Sequence, residues 1–124
     1  MFDIEIDDRA GLVDVRLSGL MSVEEARRYI ADLGSAFIRH HMRAGYLMRI
    51  DVSLATLQSQ EVLAAFQDHM AHFPKARRIA IVTGDSLVRM QVRRVMTQDY
   101  ARVFATAGEG LVWLLSPDAA ASAA

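Results

Sequence analysis

The 124-residue chain has no cysteine. This excludes thiol catalysis, thiolate zinc sites and a disulfide framework, and it suits a reducing compartment. No uncharged apolar run approaches the roughly 18 residues that a membrane-spanning helix needs, so no integral membrane segment is expected. The opening Met-Phe-Asp-Ile-Glu-Ile-Asp-Asp is acidic and lacks the basic flank of a secretory signal, so the expected location is the cytoplasm. Neither Gly-x-Gly-x-x-Gly nor Gly-x-x-x-x-Gly-Lys-Ser/Thr occurs, so no nucleotide cradle is written in the chain and no cofactor is expected. There is no charge excess either, the net charge being −1. With no aromatic residues interleaved among the arginines, nucleic acid is not an expected partner.

What is present suffices for one core. Apolar residues make up 52% of the chain, and the length fits a single domain, expected over residues 1–117. Residues 118–124 are small and polar and are expected to fray. Charge is unevenly placed: residues 1–32 hold eight acids and four arginines, whereas residues 75–102 hold seven bases and two acids. One part of the surface should be acidic and another basic.

Periodicity sets the elements. Phe2, Ile4 and Ile6 alternate with Asp3, Glu5 and Asp7, which predicts a half-buried strand. Leu12 to Leu17 alternates again after a turn at Asp8–Gly11, so the two strands should form an antiparallel hairpin. Ser22-Val23-Glu24-Glu25 is a capping box, with the Ser22 hydroxyl accepting from the Glu25 amide and the Glu25 carboxylate reaching back. It opens a helix with Val23, Ala26, Ile30, Leu33 and Phe37 on one face, ending near residues 39–42. A strand is predicted from Tyr46 to Val52, then a loop from Ser53 to Gln58. Ser59 caps a second helix, with Val62, Leu63, Phe66, Met70 and Phe73 turned inward, and Pro74 stops it. The apolar run Ile79-Ala80-Ile81-Val82 reads as a strand buried on both faces. Gly84-Asp85-Ser86 turns into a third helix, Ala101 to Ala105 is a fifth strand, and a last helix carries Trp113. The order β-β-α-β-α-β-α-β-α predicts an α/β domain. Its mixed sheet would have about five strands, a hairpin followed by parallel strands, with about four helices.

Candidate chemistry is sparse. Gly84-Asp85-Ser86-Leu87 resembles the nucleophile block of the Gly-Asp-Ser-Leu esterases. That chemistry needs a histidine base oriented by an acid, and no histidine follows Ser86, where the resemblance would require one. An esterase at Ser86 is thus a distant alternative to a tight turn in which Asp85 or Ser86 caps the third helix. His40 and His41 are adjacent and would point about 100° apart on a helix, while His69 and His72 share a face beside Asp68. A metal would need a further ligand that nothing marks, so all four histidines are expected to face solvent, opposite the apolar stripe. Arg89 and Arg93, with Arg94 and the nearby Arg77 and Arg78, could contact an anion or an acidic partner.

Three stretches carry a family resemblance: Phe2 to Gly19 with the capping box; Tyr46-Leu47-Met48-Arg49-Ile50-Asp51-Val52-Ser53; and Arg78 to Asp85 with its following helix, strand and Leu111-Val112-Trp113-Leu114-Leu115. The chain resembles the STAS superfamily, the sulfate-transporter and anti-sigma-factor-antagonist domains, and within it the SpoIIAA-like branch. The resemblance implies a non-enzymatic interaction or regulatory module with a protein partner. In the family's antagonists the loop after the third strand reads roughly Asp-Leu-Ser, a spacer, then Asp-Ser-Ser-Gly-Leu, with the second serine of that final block phosphorylated. Asp51, Val52 and Ser53 match its start. Ser59, Gln60, Glu61, Val62 and Leu63 fall on the later block, placing Glu61 where the phosphoserine would be. A phosphoserine carries about −1.5 to −2 charges, whereas a glutamate carries a fixed −1, so phospho-switching is not expected here. The expected binding residues are Asp51, Ser53, Ser59, Gln60 and Glu61, with Gly84, Asp85 and Ser86 in the turn after the fourth strand. The similarity of this branch to CRAL-TRIO lipid carriers raises an alternative. The methionines, with Phe37, Phe66 and Phe73, could line a cavity for a lipid or other apolar small molecule. A small domain with an apolar helix face could also form a homodimer.

Overall fold

A computed structural model describes residues 1–117; the tail expected over 118–124 lies outside the described residues. The elements are β1 (Phe2–Asp7), β2 (Leu12–Gly19), α1 (Val23–Arg39), β3 (Leu47–Ala55), α2 (Gln60–His72), β4 (Arg78–Val82), α3 (Ser86–Val95), β5 (Ala101–Phe104) and α4 (Ala107–Leu115). They match the expected order element for element. The sheet runs β1-β2-β3-β4-β5, with β1 and β2 antiparallel and every later pair parallel. Gly11, at φ +61°, turns the hairpin, where a side-chain-bearing residue would be strained.

A sequential strand order constrains the helices. Three right-handed crossovers stepping the same way must all lie over the same face of the sheet. Accordingly α1, α2 and α3 share one core with Val13, Val15, Met48, Ile50, Ile79 and Ile81. α4 follows the last strand, is bound by no crossover and covers the other face, where Leu114 packs on Leu12, Leu47 and Ala80. Gly110 permits that approach: a Cβ there would lie 3.2 Å from the Ala80 Cβ, already tight. Beyond α4 this face is polar, and Arg49 spans strands to bond both Asp14 carboxylate oxygens at 3.0 and 2.6 Å.

Two local expectations need correction. Residues 53–55 are strand rather than loop, because β2 extends to Gly19 and pairs Ser18 and Gly19 with Leu54 and Ala55, past an irregularity between Arg16 and Ser18. The capping box is half made. The Glu25 amide donates to the Ser22 hydroxyl at 3.1 Å, but the Glu25 carboxylate pairs with the Met1 ammonium at 2.7 Å.

Candidate functional site

The carboxyl ends of β2, β3 and β4 converge on one end of the sheet, where ligands are expected in α/β folds. The chain leaves β3 at Ala55 and enters α2 at Ser59, whose hydroxyl accepts from the Val62 amide at 3.2 Å. It leaves β4 through the buried Thr83 and enters α3 at Asp85, whose Oδ1 accepts from the amides of Leu87 and Val88 at 2.8 and 3.0 Å. Both short polar residues are held by these caps, which satisfy amides that the helices cannot.

Two glutamines stitch this end together. The Gln91 side chain accepts from the Gln58 amide at 2.8 Å and donates to the Gln58 carbonyl at 2.9 Å, so α3 and the β3–α2 loop are joined as a strand pair would be. The Gln58 side chain accepts from the Met21 amide and donates to the carbonyls of Gly19 and Thr56. One side chain thus ties the β2–α1 connection to the β3–α2 loop. Beside this hub in the chain are apolar side chains that point to solvent: Leu20 is 67% exposed, and Leu57, Leu87 and Met90 are also exposed. Leu54, 79% exposed, lies apart from them, beside Asp3, Arg16 and Asp51. Leu20 and Leu57 each adjoin a residue of the hydrogen-bonded hub, and Leu87 lies one helical turn before Gln91. Apolar side chains gathered on one rigid end of a domain mark an interaction surface more clearly than scattered ones.

The expected site residues fall on or beside this end. Ser59, Gln60 and Glu61 are exposed at the start of α2, and Gly84, Asp85 and Ser86 are exposed at the start of α3. Asp51 is half-buried and its Oδ1 accepts from the Ser53 amide at 2.9 Å. Ser53 is exposed, on the strand. Arg93 is exposed and Arg89 half-buried on α3. Arg78 does not join them. It is buried in β4 and directed at the end of α4, donating to the carbonyls of Trp113, Ser116 and Pro117.

The histidines divide. His40 bonds Asp8 at 2.9 Å and His72 pairs with Asp68 at 3.5 Å. Among the described residues no group of three or more His, Asp or Glu could hold a metal ion. His69 contradicts the expectation of solvent-facing histidines: it is 8% exposed, against Tyr29 and Phe73 with ring centroids 6.3 and 4.6 Å away, and its Nε2 has no hydrogen-bond partner. It belongs to the inward stripe Val62, Phe66, His69, Phe73. Burial lowers its pKa from the ordinary 6.5, against the opposing pull of Asp68.

A pH dependence follows. Because the folded state holds this imidazole neutral, the unfolded chain binds its proton first as pH falls. His69 therefore leaves stability unaffected above pH 6.5 and subtracts from it progressively below, down through its folded-state pKa. Thermal denaturation between pH 7.5 and 5 should show a falling midpoint, and His69→Phe should flatten that slope. An equal slope in the variant would disprove the assignment.

His69 lines an apolar cavity of about 90 Å³ between α2, α3 and the sheet, with Met21, Met70, Met96 and Phe66 among its walls. Phe37 and Phe73 were expected to line it as well. Instead they pack edge-on against each other and against Tyr46, outside the cavity.

Solved structures share this architecture. One is the crystal structure of an uncharacterized protein of the DUF3478 family, described as having a SpoIIAA-like fold, from Shewanella loihica. It superposes at a TM-score of 0.70 over 92% of each chain, at 17% identity. The fold is SpoIIAA-like. An anti-sigma factor antagonist from Mycobacterium paratuberculosis matches this SpoIIAA-like chain at TM-score 0.64 and 13% identity, over 94% of this chain and 96% of that one. The anti-sigma factor antagonist SpoIIAA in its unphosphorylated form matches at 0.64 and 12% identity, over 94% and 100%. No family model and no curated protein matches the sequence. No helix among the described residues is long and apolar enough to cross a membrane.

Proposed function

We propose that this SpoIIAA-like domain is a non-enzymatic regulatory module that binds another protein through the carboxyl end of its sheet. The observation that carries the reading is the set of exposed Leu20, Leu57, Leu87 and Met90 beside the Gln58–Gln91 hub. Leucines held at a rigid, hydrogen-bonded end supply apolar area with little ordering to be lost on binding. Ser59, Gln60, Glu61 and the turn Gly84–Ser86 form the polar rim, and Arg89 and Arg93 add positive charge beside it. Glu61 sits in the first turn of α2, where a permanent negative charge is favoured by the helix dipole. The surface is therefore constitutively charged rather than switched by a kinase. Likeness to anti-sigma factor antagonists supports a protein partner.

The test is direct. A partner is captured from extract of the source cells, identified by mass spectrometry, purified, and its affinity measured by calorimetry. Leu57→Asp/Leu87→Asp should weaken it at least 30-fold, and Glu61→Lys about tenfold, with the thermal midpoint of each variant within a few degrees of the parent. Unchanged affinity in the double variant defeats the proposal.

A further inference from the structure

The geometry points to a second binding site: we propose that the cavity beneath α2 and α3 takes a small, uncharged apolar molecule bearing one hydroxyl group, which hydrogen-bonds His69 Nε2. Three observations converge. The imidazole is buried and its Nε2 lacks any protein partner, a situation that costs about 1–3 kcal/mol when nothing fills it. The same residue lines the largely aliphatic cavity, so the unmet group and the empty space coincide. And no aspartate, glutamate, lysine or arginine lines that cavity. A carboxylate or phosphate ligand would be stripped of water with no cation to meet it, so a charged ligand is disfavoured. A hydroxyl both donates and accepts, and thus satisfies Nε2 in either neutral tautomer.

Water is a weaker occupant. The volume would hold it, but an ordered water needs two to four polar partners, and in this wall the Gln58 and Gln91 side chains are already hydrogen-bonded, which leaves Tyr29, Thr56 and His69 among apolar residues such as Ile50, Val52, Val88 and Val92. An alcohol replaces that unfavourable hydration with apolar contact and keeps the one hydrogen bond. The volume also bounds the ligand. About 90 Å³ is less than the roughly 150 Å³ that admits benzene in an engineered cavity, so a body of a few carbons fits without rearrangement. Met21, Met70 and Met96 have the side-chain freedom to repack around a somewhat longer one. The cavity wall includes Thr56, Gln58 and Gln91, residues that also hold the proposed recognition end, so an occupant would brace that end from below.

The experiment uses the whole chain, labelled with nitrogen-15 at histidine, and titrates 1-butanol and n-pentane, equal in size, separately. Saturable binding of 1-butanol that shifts the His69 Nε2 resonance, at least tenfold tighter than pentane, is the expected result. In His69→Phe the preference should vanish while pentane still binds. Equal affinity for the two probes, a His69 resonance that does not move on saturation, or no saturable binding of either probe would each overturn the proposal. The resonance is read in the unaltered protein, so the test stands even where the variant folds poorly.

Discussion

Replacing Arg78 by alanine should destabilise the domain by about 3–5 kcal/mol, a large share of the roughly 5–15 kcal/mol that holds an ordinary domain folded. Arg78 is a buried cation inside a strand flanked on both sides, a position that normally takes an aliphatic residue. Its guanidinium donates to the Trp113 carbonyl at 2.5 Å, the Ser116 hydroxyl at 3.0 Å and the Pro117 carbonyl at 3.2 Å. These oxygens stand at the end of α4, where the helix dipole favours a positive charge; the Trp113 carbonyl also accepts from the Ser116 amide and hydroxyl. The Arg78 guanidinium carbon lies 5.1 Å and that of Arg102 5.3 Å from the Trp113 ring centre, so the ring is also held by cation–π attraction. Truncation removes all of this at once and leaves a cavity beneath α4. Trp113 is the sole tryptophan and reports on that helix directly. In Arg78→Ala its emission should shift to the red, and its transition in urea should precede that of the far-ultraviolet dichroism. A urea midpoint equal to the parent's would refute the role given to Arg78.

How legible was this in the sequence? The alternation Phe2-Ile4-Ile6 and the short polar residues Ser22, Ser59 and Asp85 announce their elements because strand period and helix caps are local. Arg78 and the glutamines are not local. Arg78 meets partners 35 or more positions away, and Gln58 meets Gln91 33 positions away. No spacing rule links such pairs before the chain has folded. The same holds for the last residues of β3: Ser53-Leu54-Ala55 has no strong strand preference of its own and is drawn into the sheet by the extension of β2. His69 is a different case. Its place at seven residues from Val62 and four from Phe73 is that of a buried position, so the helical period already contained the answer. The residue type, ordinarily polar and exposed, masked it.

Arg49 and Asp14 show why a charged pair can occupy the sheet face that α4 only partly covers. The two side chains are 15% and 17% exposed, and Arg49 also donates to the Ala107 carbonyl at the start of α4. The pair therefore links β2, β3 and the helix that closes this face. The hydrogen bond to the Asp14 carboxylate raises the Arg49 pKa further, so the cation is fixed at every accessible pH. Arg49→Ala strands the Asp14 carboxylate in a site mostly closed to water and should cost about 3 kcal/mol in urea denaturation, the low end for breaking a buried pair because some solvent still reaches it. Asp14→Leu/Arg49→Met behaves differently. Both charges leave together, apolar volume replaces them, and the double variant should lie within about 1 kcal/mol of the parent. The cycle closed with the single variants Asp14→Leu and Arg49→Met should give a coupling energy of about 2 kcal/mol or more. Additive single effects would mean that each side chain acts through its other neighbours, Ala107 above all, and that the charge pair itself holds nothing.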